Sequence, residues 1–332
     1  MKKHKICKIL LVILAIFLCV AFYELLGICV AYKKQPEVSN TTKKETKNGS
    51  WNECSENTER AVIIEKNPEA LLQRVRLIKN AKKEIILSTF AFQSDESGKL
   101  ILGALHDAAD RGVHIRLLVD GMESWIDMEG NPYFYGLSSH ENVEIKLYNK
   151  ANPLKPWKMM GRMHDKYLIA DGKRYILGGR NTYNYFLGDF PGHKNYDRDV
   201  LVVCDEPEKE NSVNQLLEYF ETIWEQEDSG YFHDNKKLAN RKSVKNAVLE
   251  LQNGYQKYFE ENKERICDTD YTDETFETEK IALVSNPIHT GSKEPVVWYQ
   301  LGELMKNAKN RVKIHTPYII CNDMMYNTCL LY

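Results

Sequence analysis

Between residues 61 and 121 short apolar runs alternate with amphipathic ones, and this alternation limits the folds open to the chain. "AVIIE" (61–65) reads as a strand, and Asn67 with Pro68 starts a helix carrying Leu71, Val75 and Ile78 on one face. "EIILSTFAF" (84–92) reads as a buried strand, 96–111 as a second helix that Gly112 ends, and "VHIRLLVDG" (113–121) as the next strand. Strands separated by helices build a layered α/β domain. "VEIKLY" (143–148) alternates as a further strand. Residues 209–227 and 241–264 read as amphipathic helices, with Val213, Leu217, Phe220 and Trp224 on the first and Val244, Val248, Leu251 and Tyr255 on the second. Their aromatic residues belong to the core on this reading.

The chemistry concentrates in "RMHDKYLIADGKRYILGGRN" (162–181). Asp171-Gly172 between two alternating runs is a strong hairpin signal. On the first run His164 and Lys166 are two residues apart, which puts both on one face of a strand. Gly178 and Gly179 let a ligand approach the backbone, and Asn181 adds an amide at the same end. A nucleophilic imidazole, a fixed cation and an amide donor suit a phosphodiester: His164 attacks phosphorus while Lys166 and Asn181 grip the nonbridging oxygens. Asp197 and Asp199 in "DRDV" either orient His164 or serve as turn and surface acids.

The spacing His-x-Lys-x4-Asp-x6-Gly-Gly-x-Asn resembles the signature of the phospholipase D superfamily. Within it, the Gly-Gly form, "GRNTYNYF" and "DRDV" look like bacterial cardiolipin synthases and related phosphatidyltransferases. The resemblance covers most of residues 60–322. It implies a phospholipase D-like layered α/β domain with a mixed β-sheet, paired with a second similar domain. It also implies one His-Lys-Asp motif from each domain, a phosphohistidine on one His, acid–base work by the other, and no metal or other cofactor. Carried over by position, His164 bears the phosphatidyl group, Lys166 and Asn181 hold the phosphate, and Asp171 supports the site. The expected substrate is an anionic phospholipid, phosphatidylglycerol or similar, with no nucleic acid. The alternatives are a phosphodiesterase or nuclease of the same superfamily, or a fragment inactive without a second motif.

An internal repeat bears on that second motif. "RLIKNAKKEIILSTFAFQSD" from 76 aligns without a gap to "ELMKNAKNRVKIHTPYIICN" from 303, an offset of 227, and "EKIALVSNP" (279–287) echoes "ERAVIIEKNP". The start of a second, similar domain is therefore expected at 279–332, after a first domain at 60–230 and a helical connector at 231–278. His315 aligns with Ser88 and is not the second catalytic histidine. The offset places that residue near position 391, so these 332 residues read as truncated, or as half of a homodimer that pairs two single motifs.

At the other end, residues 1–32 read as an N-terminal membrane anchor. Lys2, Lys3, Lys5 and Lys8 precede an apolar stretch, 9–31, broken only by Glu24, against the roughly 20 residues that span a bilayer. The polar stretch 33–59 reads as a linker, and the protein as single-pass at the cell membrane. Six cations between 146 and 166 interleave with Trp157, Met159 and Met160, a composition suited to an anionic lipid surface. The net charge of −2 gives no global basic field for nucleic acid. The eight cysteines lack metal-ligand spacing and read as isolated buried thiols.

Overall fold

The computed structural model describes residues 2–49, 59–207, 210–233, 235–314, 316 and 323–330. The N-terminal segment is one helix, α1 (Lys2–Tyr32), whose stretch Lys5–Tyr32 is long and apolar enough to cross a membrane. Within the stretch expected as a polar linker lies α2 (Asn40–Asn48). The Ser39 hydroxyl accepts from the Thr42 N–H at 3.1 Å, and the Gly49 N–H closes the other end on the Thr46 carbonyl at 3.2 Å. These caps satisfy backbone groups that a polar composition alone leaves out of account. Thr42 and Thr46 are buried, and the Thr42 hydroxyl donates to Glu294 at 2.6 Å.

The α/β alternation follows. It comprises β1 (Arg60–Ile64), α3 (Asn67–Asn80), β2 (Glu84–Thr89), α4 (Glu96–Asp110), β3 (His114–Asp120), α5 (Gly121–Asp127), α6 (Pro132–Ser138) and β4 (Val143–Tyr148). Pro68 sits in the first turn of α3, and Asp95 caps α4 by accepting the Gly98 N–H at 3.0 Å. The hairpin is β5 (Tyr167–Ala170) and β6 (Arg174–Gly178), followed by β7 (Asp199–Val203), α7 (Ser212–Trp224) and β8 (Ser229–Tyr231). Next come α8 (Lys242–Glu261), α9 (Lys263–Cys267), β9 (Phe276–Glu277), α10 (Val296–Lys306) and α11 (Asp323–Leu330).

The strands form one mixed nine-stranded sheet in the order β8-β4-β3-β2-β5-β6-β7-β1-β9. β2, β3 and β4 are parallel, and β2 meets β5 antiparallel with Leu87 opposite Leu168. α3, α4, α6 and α8 cover one face, closing a core that includes Leu71, Ile78, Leu102, Leu117, Phe134 and Leu251. α7 covers the other face with Val213, Leu216, Phe220, Ile223 and Trp224. The aromatic residues of α7 and α8 are core, as their helical spacing implies.

Two details depart from the sequence reading. The strand after His164 begins only at Tyr167, so His164 precedes β5 and the alternation rule does not relate it to Lys166. Of the described cysteines Cys204 is buried, whereas Cys7, Cys19, Cys29, Cys267 and Cys329 are exposed. In the last segment the repeat offset carries α3 onto 294–307, and α10 occupies Val296–Lys306. Residues 311–314 then run without strand pairing. His315, Cys54 and Cys321 lie outside the described residues.

Candidate active site

The site forms where β2 and β3 end and β5 begins. β2 is followed by Phe90, whose ring gathers one imidazole and two cations. The His164 ring meets it edge-on with centroids 4.6 Å apart, the Arg162 guanidinium lies 5.0 Å from its centroid, and Lys166 Nζ lies 5.1 Å away. β3 ends at Asp120, which is 1% exposed. Its carboxylate caps α5 by accepting from Met122 and Glu123, and it also accepts from Arg162 Nε at 2.9 Å and from the Met163 N–H at 3.1 Å. The residues immediately before His164 are thereby fixed to a strand end.

His164 is exposed, while Lys166 is 5% exposed and donates to the His164 carbonyl. Burial, and then the charge of Lys166, lowers the His164 imidazole below its ordinary pKa, so the ring is neutral near pH 7 and offers a nitrogen lone pair. Burial pulls Lys166 down to about 8, despite Asp165, Asp197 and Asp120 nearby. Tyr219 on α7 donates to Asp165 at 2.7 Å, and burial raises its own hydroxyl pKa.

Arg162, His164, Lys166, Gly178 and Tyr219 border a cavity of about 380 Å³. Its far wall is Leu283, Ile288 and Val297, with Leu216 and Ile223 alongside, and Lys293 adds a further cation whose pKa burial lowers. The arrangement can hold an anion against Lys166 and Lys293 while the apolar wall takes a hydrocarbon portion.

The remaining expected residues have other surroundings. Asn181 is 7% exposed and its Oδ1 accepts from the Ala91 N–H at 3.2 Å, one residue beyond Phe90. Asp171 stands at the opposite end of β5, in the turn, with φ 54° beside Gly172 at 64°. Its carboxylate accepts from the N–H groups of Lys82, Lys83 and Glu84 at 2.7–3.0 Å, so it fastens the hairpin to the start of β2, away from the cavity. The glycine pair makes room for carboxylates: a Cβ at Gly178 would stand 2.0 Å from Asp199 Oδ1, and one at Gly179 2.0 Å from Asp197 Oδ2. Asp199 is buried between Arg74, at 2.9 Å, and Arg180, at 3.2 Å, which occupies it away from His164.

Residues 74–224 match the family described as cardiolipin synthase, phospholipase D-like domain. These residues form a phospholipase D-like domain. An uncharacterized Helicobacter pylori protein is 28% identical over 292 residues, 78% of this chain and 54% of that protein. Cardiolipin synthase C of Escherichia coli is 29% identical over 171 residues, 47% of this chain and 34% of its own. The solved phosphatidylserine synthase of Haemophilus influenzae aligns with a TM-score of 0.47 at 16% identity, covering 74% of this chain and 52% of that one. The chain spans about half the length of the first curated relatives it matches.

Sequence reasoning did not select Asp120, Phe90, Tyr219 or Lys293 for the phospholipase D-like site. Asp120 and Phe90 stand at the carboxyl ends of parallel strands, where α/β sheets collect function, and that rule could have flagged them. Tyr219 sits on an apolar helix face and Lys293 in a segment without periodicity, so neither carried a signal.

Proposed function

We propose that this domain transfers phosphatidyl groups, in the manner of a cardiolipin synthase, through a covalent phosphohistidine on His164. The observation carrying this reading is the shared cavity: a neutral, exposed imidazole and a buried lysine face an apolar wall. A His164 ring nitrogen attacks the phosphorus of a phospholipid, the phosphorus–oxygen bond to the leaving alcohol breaks, and that alcohol takes a proton. The hydroxyl of a second lipid, phosphatidylglycerol on this reading, then loses its proton, attacks the phosphohistidine and frees the imidazole. Lys166 offsets charge on the nonbridging oxygens, and Asn181 keeps the backbone beside Phe90 in register.

Among the described residues bordering the cavity His164 is the one histidine. The proton donor and acceptor is, on this proposal, a second histidine supplied by a further domain or a second copy. α1 serves as a single-pass anchor in the cell membrane, bringing the domain to its substrate.

Lipid extracts of cells expressing the protein and its His164→Ala variant test the reading: cardiolipin should rise only with the former. Identical lipid profiles overturn it. DNA binding that weakens with salt, beside an unchanged lipid profile, would replace lipid with nucleic acid as substrate.

A further inference from the structure

The loop between β4 and β5 does more than deliver His164. It exposes Leu154 (77%), Trp157 (45%) and Met160 (57%), and the neighbouring α5 exposes Trp125 (68%) and Ile126 (66%). α5 adjoins this loop through Met122, which shares a pocket with Lys150, Lys155 and Met159. Five large apolar side chains exposed together on two short adjoining segments are unusual for a surface that meets only water.

The same loop carries α1. Tyr23 Oη donates to the Leu154 carbonyl at 3.0 Å, Gly27 rests against Pro156, and Tyr32 Oη donates to the Thr290 carbonyl. Ala21, Glu24, Gly27, Ile28, Ala31 and Tyr32 form the partly covered stripe of a helix otherwise exposed from Lys5 onward. A hydrocarbon core of about 30 Å takes about 20 helical residues. Counted from Ile9, they end at Ile28, level with the contact between Gly27 and Pro156. The exposed loop therefore stands at the height where α1 leaves the hydrocarbon.

Tryptophan is favoured at that depth, and cations are favoured just outside it on an anionic leaflet. Lys33, Lys34, Lys150 and Lys155 are exposed around the patch. Lys158 is not counted among them, because Asp228 pairs with it at 2.7 Å.

We propose that residues 149–163 and α5 form an interfacial face that lies on an anionic bilayer surface, with Trp125, Leu154, Trp157 and Met160 reaching below the headgroups. The proposal rests on reading α1 as the anchor and commits to a lipid surface rather than a protein partner. It gives these side chains an occupant, and it sets the His164 loop at the headgroup plane rather than above it.

The test uses the full chain in vesicles of phosphatidylglycerol and phosphatidylcholine whose acyl chains carry bromine near the headgroup. Tryptophan fluorescence is compared between the wild type and the double variant Trp125→Phe/Trp157→Phe. Both proteins should pellet with the vesicles, and bromolipid should quench the wild type at least twofold more strongly. Equal quenching of two pelleted proteins overturns the interfacial face and leaves α1 as an anchor. Equal quenching with a cross-linked dimer assigns the patch to a second copy instead. A wild-type chain that stays in the supernatant overturns the anchor reading, and the face with it.

Discussion

Arg162 is gripped by Asp120: Nε lies 2.9 and 3.0 Å from the two carboxylate oxygens, and Nη2 lies 2.7 Å from Oδ1. This pair links the end of β3 to the residue two before His164, and Arg162 also stands over the Phe90 ring that packs on His164. On the proposed function Asp120 is thus a positioning residue. Asp120→Asn keeps the volume and weakens the grip, so kcat for phosphatidyl transfer should fall about 10–100-fold while KM changes little. A steady-state series in mixed micelles separates the two, and a change confined to KM would count against a positioning role.

The lowered pKa values of His164 and Lys166 set the pH dependence. His164 must be neutral to attack, so kcat/KM rises with pH through a value below that of an ordinary histidine. Lys166 must be charged to hold phosphate, so kcat/KM falls as pH passes about 8. The expected profile is a bell whose alkaline limb is displaced toward neutrality. Lys166→Arg stays charged across that range and should remove the alkaline limb, at a lower maximum. An alkaline limb unchanged in Lys166→Arg would assign it to another group.

Asp171 is expected to matter for stability more than for chemistry. Its carboxylate accepts three backbone N–H groups at the start of β2, and Asp171→Ala leaves them without that acceptor. The loss should be about 1–3 kcal/mol of unfolding free energy, read from urea titration. Below the unfolding transition, turnover should stay within a few-fold of wild type. A thousandfold fall in kcat with an unchanged midpoint would return Asp171 to the catalytic group.

Gly178→Ala and Gly179→Ala separate scaffold from site. At 178 the added methyl meets Asp199 Oδ1 and the Arg198 carbonyl at 2.6 Å, backbone that cannot step aside, so about 1–3 kcal/mol of stability should be lost. At 179 the nearest atoms belong to the partly exposed Asp197 carboxylate, which can turn away at smaller cost. Thermal midpoints of both variants would show the order, and the reverse order would contradict it.

The sheet was legible in the sequence wherever residues report on their own local periodicity. β4 falls on the alternation of Val143 to Tyr148, the hairpin turn on Asp171-Gly172, and α3 starts at Asn67. β2 is shorter than its apolar run, because chain pairing stops at Thr89 while Phe90 leaves to pack on His164. α2 was missed because two caps and a contact with Glu294, 252 residues from Thr42, hold a helix that composition disfavours. In the site, residue types and spacing singled out His164 and Lys166, which border one cavity, and Asn181, which holds the Ala91 backbone beside it. They could not show that Asp171 works at the far end of β5, or that Asp120 holds the loop from 42 residues upstream of Arg162. Both facts are set by strand order, which no local pattern encodes.

The ion cluster of Arg74, Asp199 and Arg180 has a consequence for what approaches the sheet. One carboxylate faces two guanidinium groups, each side chain no more than 5% exposed, and the three sum to one positive charge in a poorly screened interior, offset in part by the Asp197 carboxylate near Arg180. Arg180 immediately follows the glycine pair and precedes Asn181, so the excess charge sits behind the strand that borders the cavity. The interior itself thus becomes a standing source of positive potential, one that added salt attenuates far less than it does the exposed lysines. On the proposed function, this scaffold would favour an anionic headgroup even at ionic strengths that silence the surface.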